Sequence, residues 1–224
     1  MNAAPLPAGR SPRAWTVLLL VVIVCLGADL ASKWAAFRWV AGAPVAVKRA
    51  DVLSAGASRL ATLIPAHAPV VVVPHGLELK LVLNSGAVFG AGQGKRWFFI
   101  AFTISALGFA LVLFARWSTA RDTLTHCAIA LILAGGLGNL YDRLRFACVR
   151  DFLHPLPTAT LPFGLTWPGG ERALWPYVSN VADAFLLVGI AILMWRLWRA
   201  EGPTAPAIDS GSPIPQPPGP RPLA

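Results

Sequence analysis

Apolar residues fall along this chain in long blocks rather than in short alternating runs. Four blocks stand out, at about residues 15–37, 97–117, 124–141 and 181–198. Each is close to the ~20 residues that cross the hydrocarbon layer of a bilayer as a helix. Arg10 and Arg13 precede the first block, as in a secretory leader. No small-x-small cleavage site follows Leu26, and "VIVC" lacks the small residues that a lipoprotein cleavage box carries before Cys25. A retained span is therefore expected. In the third block Ala134, Gly135, Gly136 and Gly138 make a narrow face suited to close helix contact. Only a few residues around "STARD" separate the second and third blocks, which predicts a tight helical hairpin.

Between the blocks the pattern changes. The excursion over residues 38–96 holds "VVVV" at Val70–Val73 and the alternating "LELKLVLN" at Leu77–Asn84, two predicted strands broken by "PHG". Residues 42–69 show no clear period. A second excursion, residues 151–179, is rich in Pro, Gly and Trp, and Trp167 and Trp175 suit a membrane interface. Residues 201–224 have the Pro-rich makeup of a disordered tail. The fold class expected is an all-α membrane protein: a four-transmembrane-helix bundle with a small outer-facing β-sheet between spans 1 and 2. Residues 1–200 then form one membrane-embedded domain.

Composition sharpens this picture. Of 224 residues, 56% are hydrophobic and only 13% charged, against about 45–50% and 25% in soluble domains. The net charge of +9 raises the question of nucleic acid. The basic residues are scattered beside apolar segments, however, where they suit lipid headgroups, so no nucleic-acid partner is expected. An even number of spans puts both termini on one side. Arg10, Arg13, Arg116, Arg121, Arg196 and Arg199 then share the cytoplasmic face, as the positive-inside tendency prefers. Eleven Lys and Arg residues outside it, Lys33 and Arg150 among them, weaken the charge bias. Cys25, Cys127 and Cys148 and four scattered His residues form no ligand spacing. No metal and no disulfide are assigned.

Polar residues inside the apolar frame carry the candidate chemistry. "DLASK" puts Asp29 and Lys33 on one face of the first helix, either as a supporting ion pair or in contact with substrate. "NSGAVFG", residues 84–90, offers the amide of Asn84 and the flexible backbone of Gly86, in a simple turn or in a site where Asn84 orients a substrate backbone. Asn139, Asp142 and Arg143 share the end of the third helix, where an Asp142–Arg143 ion pair capping the span is the plain reading. Asp151, in "VRDF", lies beyond that helix and can return to the membrane surface. "SNVAD" opens the fourth helix with Asn180 one turn before Asp183. A helix N-terminus alone explains one carboxylate there. Two carboxylates at the same membrane face, Asp151 and Asp183, can split their titrations, so that one takes a proton from water while the other protonates a carbonyl.

In order and placement, "DLASK", "NSGAVFG", "GGLGNLYDRL", "VRDF" and "NVAD" resemble the bacterial lipoprotein signal peptidase (signal peptidase II) family over roughly residues 15–198. The resemblance implies a surface sheet, or cradle, above four helices. It also implies an aspartic endopeptidase that removes the signal peptide of prolipoproteins just before a diacylglyceryl-modified cysteine. Asp151 and Asp183 match the family's catalytic aspartates. Asp29, Lys33, Asn84, Gly86, Asn139, Asp142, Arg143 and Asn180 then support the site or bind substrate. No cofactor is implied. The expected partners are lipid-modified prolipoproteins and membrane lipids, and the expected form is a monomer in the bacterial inner membrane, with its site at the outer surface and both termini cytoplasmic. Ser85, Val88 and Arg150 depart from the family pattern, and both outer loops are long. Rival readings are a small transporter or ion-pathway protein, a presenilin-like protease, for which Gly-x-Gly-Asp is absent, a Ser–His membrane protease and a purely structural protein.

Overall fold

The computed structural model describes residues 6–86, 95–167 and 169–200. The Pro-rich tail at 201–224 and the end of the "NSGAVFG" motif, residues 87–90, lie outside them. Four described helices are long and apolar enough to cross a membrane. Helix α1, Pro12–Trp39, starts at Ser11, whose hydroxyl accepts from the Ala14 N–H at 3.3 Å. A short helix α2, Arg49–Ala55, follows. Helix α3, Arg96–Val112, runs on through a π-helical turn to Trp117, and α4 spans Thr123–Arg145. Helix α5 spans Val181–Ala200.

Helix α4 is the centre of the bundle, packed against α1, α3 and α5. Its small residues decide how closely. A Cβ at Gly135 would strike the Ala182 carbonyl of α5, and one at Gly138 would strike the Asp29 carboxylate of α1. Gly136 faces Leu107 of α3 in the same way. Backbones without a Cβ approach closely, which is how helices associate where lipid competes for every apolar contact. The outer faces of α1, α3 and α5 stay apolar and uncovered, with Leu20, Ile23, Phe102 and Leu187 all more than half exposed. In a bilayer that surface meets acyl chains. At its N-terminal end Asp122 caps α4, accepting from the Thr125 N–H at 3.3 Å, and pairs with Arg196 of α5.

Strand β1, Val70–Val73, and strand β2, Leu77–Asn84, occupy the two segments marked by β-branching and alternation. The sheet is not confined to the region between spans 1 and 2, however. A third strand, β3, Val149–Pro155, comes from the connection between α4 and α5 and pairs antiparallel with β2, with Val82 opposite Asp151 and Asn84 opposite Val149. Period-two alternation then sorts the side chains. Leu81, Leu83, Cys148 and Phe152 enter a core with Phe37, Val52 and Leu60, whereas Val82, Asn84, Val149 and Asp151 line a cavity on the other face. Residues 42–69, without period in the sequence, form α2 and a 3-10 turn, Ala57–Leu63, that cover this core through Val52 and Leu60.

Candidate active site

Asp151 and Asp183 reach one cavity from different elements, β3 and α5. The local fold around Asp183 follows from "SNVAD". Asn180 caps α5: its side-chain oxygen accepts from the Asp183 N–H at 3.1 Å, and Asp183 Oδ2 accepts from the Asn180 N–H at 3.3 Å. This reciprocal pair is a capping box, and it satisfies two backbone donors at once. A third donor of that first turn, the Ala182 N–H, goes to Asp29 Oδ1 of α1 at 2.9 Å. The start of α5 is thus pinned to the C-terminal half of α1.

Neutral amides hold the two carboxylates. Asn180 Nδ2 donates to Asp151 Oδ1 at 2.6 Å, and Asn84 Nδ2 donates to Asp151 Oδ2 at 3.1 Å. Asn139 Nδ2 donates to Asp183 Oδ1 at 2.7 Å. The orientation of the Asn139 amide is set by Lys33, an ammonium that only donates, whose Nζ lies 3.1 Å from Asn139 Oδ1. Asn84 is thus engaged with Asp151, a contact that its place in "NSGAVFG" did not reveal. Its carbonyl oxygen is also taken, accepting from the Gly86 N–H at 2.9 Å to close the turn.

Burial of Asp151 pushes its carboxyl up to about 7, and the nearby charge of Asp183 adds to that. The amides of Asn180 and Asn84 and the charge of Lys33 pull the other way without cancelling it. Asp151 is 1% exposed and lies against the cavity, so its proton is held near neutral pH in a place that water can reach. Burial, with the charge of Asp142 adding to it, pushes the Cys148 thiol up to about 12, which leaves no thiolate to compete as a nucleophile.

Behind the cavity lies a second, closed set of charges. Lys33 Nζ is 2.9 Å from Asp29 Oδ2 and 3.6 Å from Asp142 Oδ2, and all three side chains are fully buried. At "DLASK" the two residues thus form a buried ion pair, and neither lines the cavity. Asp142 does not pair with Arg143, contrary to the expectation from their adjacency. Neighbours on a helix point about 100° apart, so they do not face each other. The strong partner of Asp142 is Arg150, whose Nη2 lies 2.8 Å from Oδ1. Arg143 turns toward the cavity instead: Nη2 donates to the Gly86 carbonyl at 3.2 Å, and its guanidinium sits 5.3 Å from the Phe99 ring centroid. Sequence reasoning noted Arg150 without finding its role. The sequence offered no signal for it: only the strand geometry of β3 turns Arg150 away from the face that carries Asp151.

The cavity itself measures about 1100 Å³ and changes character along its length. One end carries Asp151, Asp183, Asn84 and Arg143, and the rest runs between α3 and α5 over Phe98, Phe102, Leu107, Ile132 and Leu186. Trp175 and Tyr177, from the connection between β3 and α5, also line it. An arrangement with paired carboxylates at the end of an apolar groove can hydrolyse a bond whose substrate is partly lipid.

Residues 21–199 match the family model described as signal peptidase (SPase) II. A lipoprotein signal peptidase of Streptococcus pyogenes serotype M6 is 34% identical over 129 residues, 58% of this chain and 74% of that protein. One from Halothermothrix orenii is 33% identical over 124 residues, 55% of this chain and 72% of that protein. In fold, the chain is similar to a bacterial membrane enzyme solved by the in meso method at 2.3 Å, with a TM-score of 0.58, 23% identity, and coverage of 83% of this chain and 89% of that one. A second such structure, at 1.9 Å, gives a TM-score of 0.55 at 24% identity and covers 80% of this chain and 91% of that one. The transporter alternative finds no support among these relatives.

Proposed function

We propose an aspartic mechanism on one premise: the chain belongs to the signal peptidase II family and is a multi-pass membrane peptidase that acts as a lipoprotein signal peptidase. The reading is that Asp151 and Asp183 activate water to cleave a prolipoprotein just before its lipidated cysteine. The observation that carries it is the convergence of two carboxylates, hydrogen-bonded by amides and a backbone N–H group among the described residues, on the polar end of an apolar groove. Water is a weak nucleophile and an amide carbonyl a weak electrophile, so both need proton transfer. Asp183, at the N-terminus of α5 where the helix dipole favours negative charge, accepts a proton from water as it attacks the carbonyl carbon. Asp151 gives its proton to the carbonyl oxygen, forming a tetrahedral diol. Collapse of the diol breaks the C–N bond. The leaving amine takes the proton from Asp183, and a diol hydroxyl returns one to Asp151. The dyad is then reset.

The groove supports the substrate class. Each buried methylene of a lipid chain contributes about 0.8 kcal/mol of apolar binding, so an unlipidated precursor should be a much poorer substrate. A site at the outer surface of the bacterial inner membrane, with both termini cytoplasmic, is supported by the Arg residues at both termini and in the α3–α4 turn. We take the working unit to be a monomer, since both carboxylates and the amides that hold them come from one chain.

The test is cleavage of a lipid-modified precursor by purified wild type, Asp151→Asn and Asp183→Asn, each shown to be folded, with and without a chelator. Both variants should lose turnover, and the chelator should change nothing. Near-wild-type turnover in either variant refutes the dyad, because an amide cannot exchange the required proton. Loss of activity in chelator with recovery on adding metal refutes the mechanism.

A further inference from the structure

Strand β3 is fastened to α4 at a single clip. Asp142 Oδ2 accepts from the backbone N–H of Arg150 at 3.0 Å. The guanidinium of the same residue places Nη2 2.8 Å from Oδ1 and Nε 3.3 Å from both carboxylate oxygens. The Phe146 ring centroid lies 4.2 Å from its Cζ and that of Phe37 5.9 Å, and Arg150 is only 8% exposed. Between Asp142 and Arg150 the chain reverses through Ala147 at φ +67°, a left-handed conformation that an alanine resists. The clip holds that reversal shut.

We propose that Arg150 is a positioning residue for the reaction, setting the height of β3 on α4 and so the reach of Asp151 toward Asp183. The proposal rests on the dyad reading above. Two observations make this a matter of position and not of field. The alternation of β3 puts Arg150 on the strand face opposite Asp151, and Asp142 neutralises its charge at contact distance. The clip also shares a reference point with the other carboxylate. Lys33 Nζ is 3.6 Å from Asp142 Oδ2 and 3.1 Å from Asn139 Oδ1, and the Asn139 amide holds Asp183. Asp151 is located through Arg150, Asp142 and Lys33, and Asp183 through Asn139 and Lys33. One buried ammonium thus sets both members of the pair. A displacement of about 1 Å in a reacting geometry costs about 10²-fold in rate, so loosening either branch should appear in kcat.

The experiment uses the full-length purified enzyme on a lipid-modified precursor, comparing wild type with Arg150→Met, Arg150→Lys, Asp142→Asn and the Asp142→Asn/Arg150→Met double variant. Folded Arg150→Met should lose about 10- to 100-fold in kcat with KM within about twofold of wild type, since the groove that binds substrate is untouched. Arg150→Lys keeps the cation but not the fork, and should fold well while recovering only part of kcat. The double variant should be no slower than Asp142→Asn alone, because the two residues act as one unit. Wild-type kcat in folded Arg150→Met overturns the proposal, as does additivity in the double variant. Should Arg150→Met fail to fold, Arg150→Lys decides, and wild-type kcat there overturns it equally. Asp151→Asn and Asp183→Asn run alongside. Turnover in either of these removes the dyad itself, whereas inactive Asn variants beside a fully active Arg150→Met remove only the positioning role.

Discussion

Two groups of carboxylates lie around the C-terminal end of α4, and they are built on opposite principles. Asp29 and Asp142 are fully buried and paired with Lys33, and Asp142 also with Arg150. Asp151 and Asp183 form no ion pair among the described residues, and Asn84, Asn139 and Asn180 hold them instead. A cation at contact distance ties a carboxylate into an ion pair, while an amide positions it without supplying a countercharge. On the proposed reading the first group is a scaffold and the second the reactive pair. Asn139 joins them, bonded on one side to Lys33 and on the other to Asp183.

The comparison can be broken most severely at Lys33. Lys33→Met leaves Asp29 buried without a cation and Asp142 with Arg150 alone, a loss of about 3–5 kcal/mol. We expect little folded protein, measured as the yield of monodisperse enzyme and its unfolding midpoint in detergent. Asn139→Ala removes the joint while sparing the ion pairs; we expect about a 10- to 100-fold fall in kcat with the unfolding midpoint lowered only modestly. An Asn139→Ala enzyme at full speed would show that the scaffold does not position Asp183.

Acidity separates the groups again. The Asp151 carboxyl is raised from its ordinary 3.8 to about 7 in the folded protein. A raised acid favours the folded state while protonated, so its contribution is fully present below pH 3.8 and is lost as pH rises through about 7. The stability of wild type relative to Asp151→Asn should therefore decline across that window, by on the order of a few kcal/mol, and run flat above it. Unfolding of both proteins at a series of pH values reads this directly, and parallel curves would place no titrating group at Asp151. The smallest expected effect lies at Ala147. Glycine has no penalty at φ +67°, so Ala147→Gly should stabilise the α4–β3 reversal by about 0.5–1 kcal/mol without changing kcat.

The four helices were legible because hydropathy blocks of that length have one cheap solution in a bilayer, and "VVVV" and "LELKLVLN" announced their strands. Strand β3 was hidden. Val149, Arg150, Asp151 and Phe152 are all buried, so "VRDF" shows no alternation of polarity, and its partner β2 lies more than sixty residues earlier in the chain. The candidate residues were visible as polar intrusions in apolar surroundings, but their pairing was not. Adjacency suggested Asp142 with Arg143, whereas the fold pairs Asp142 with Arg150 across a reversal. Asn84 was visible as an amide, yet only the register of β2 against β3 reveals that it faces Asp151.

The most direct test of the reactive pair is an infrared titration of the purified enzyme in bilayers, following the carboxyl stretch that disappears in Asp151→Asn. We expect that band to titrate with a midpoint near 7 and to shift to lower pH in Asp183→Asn, where the neighbouring charge is gone. An Asp151 carboxyl already ionised at pH 5, or a midpoint unmoved by Asp183→Asn, would contradict the assignment of a shared, exchangeable proton to this pair.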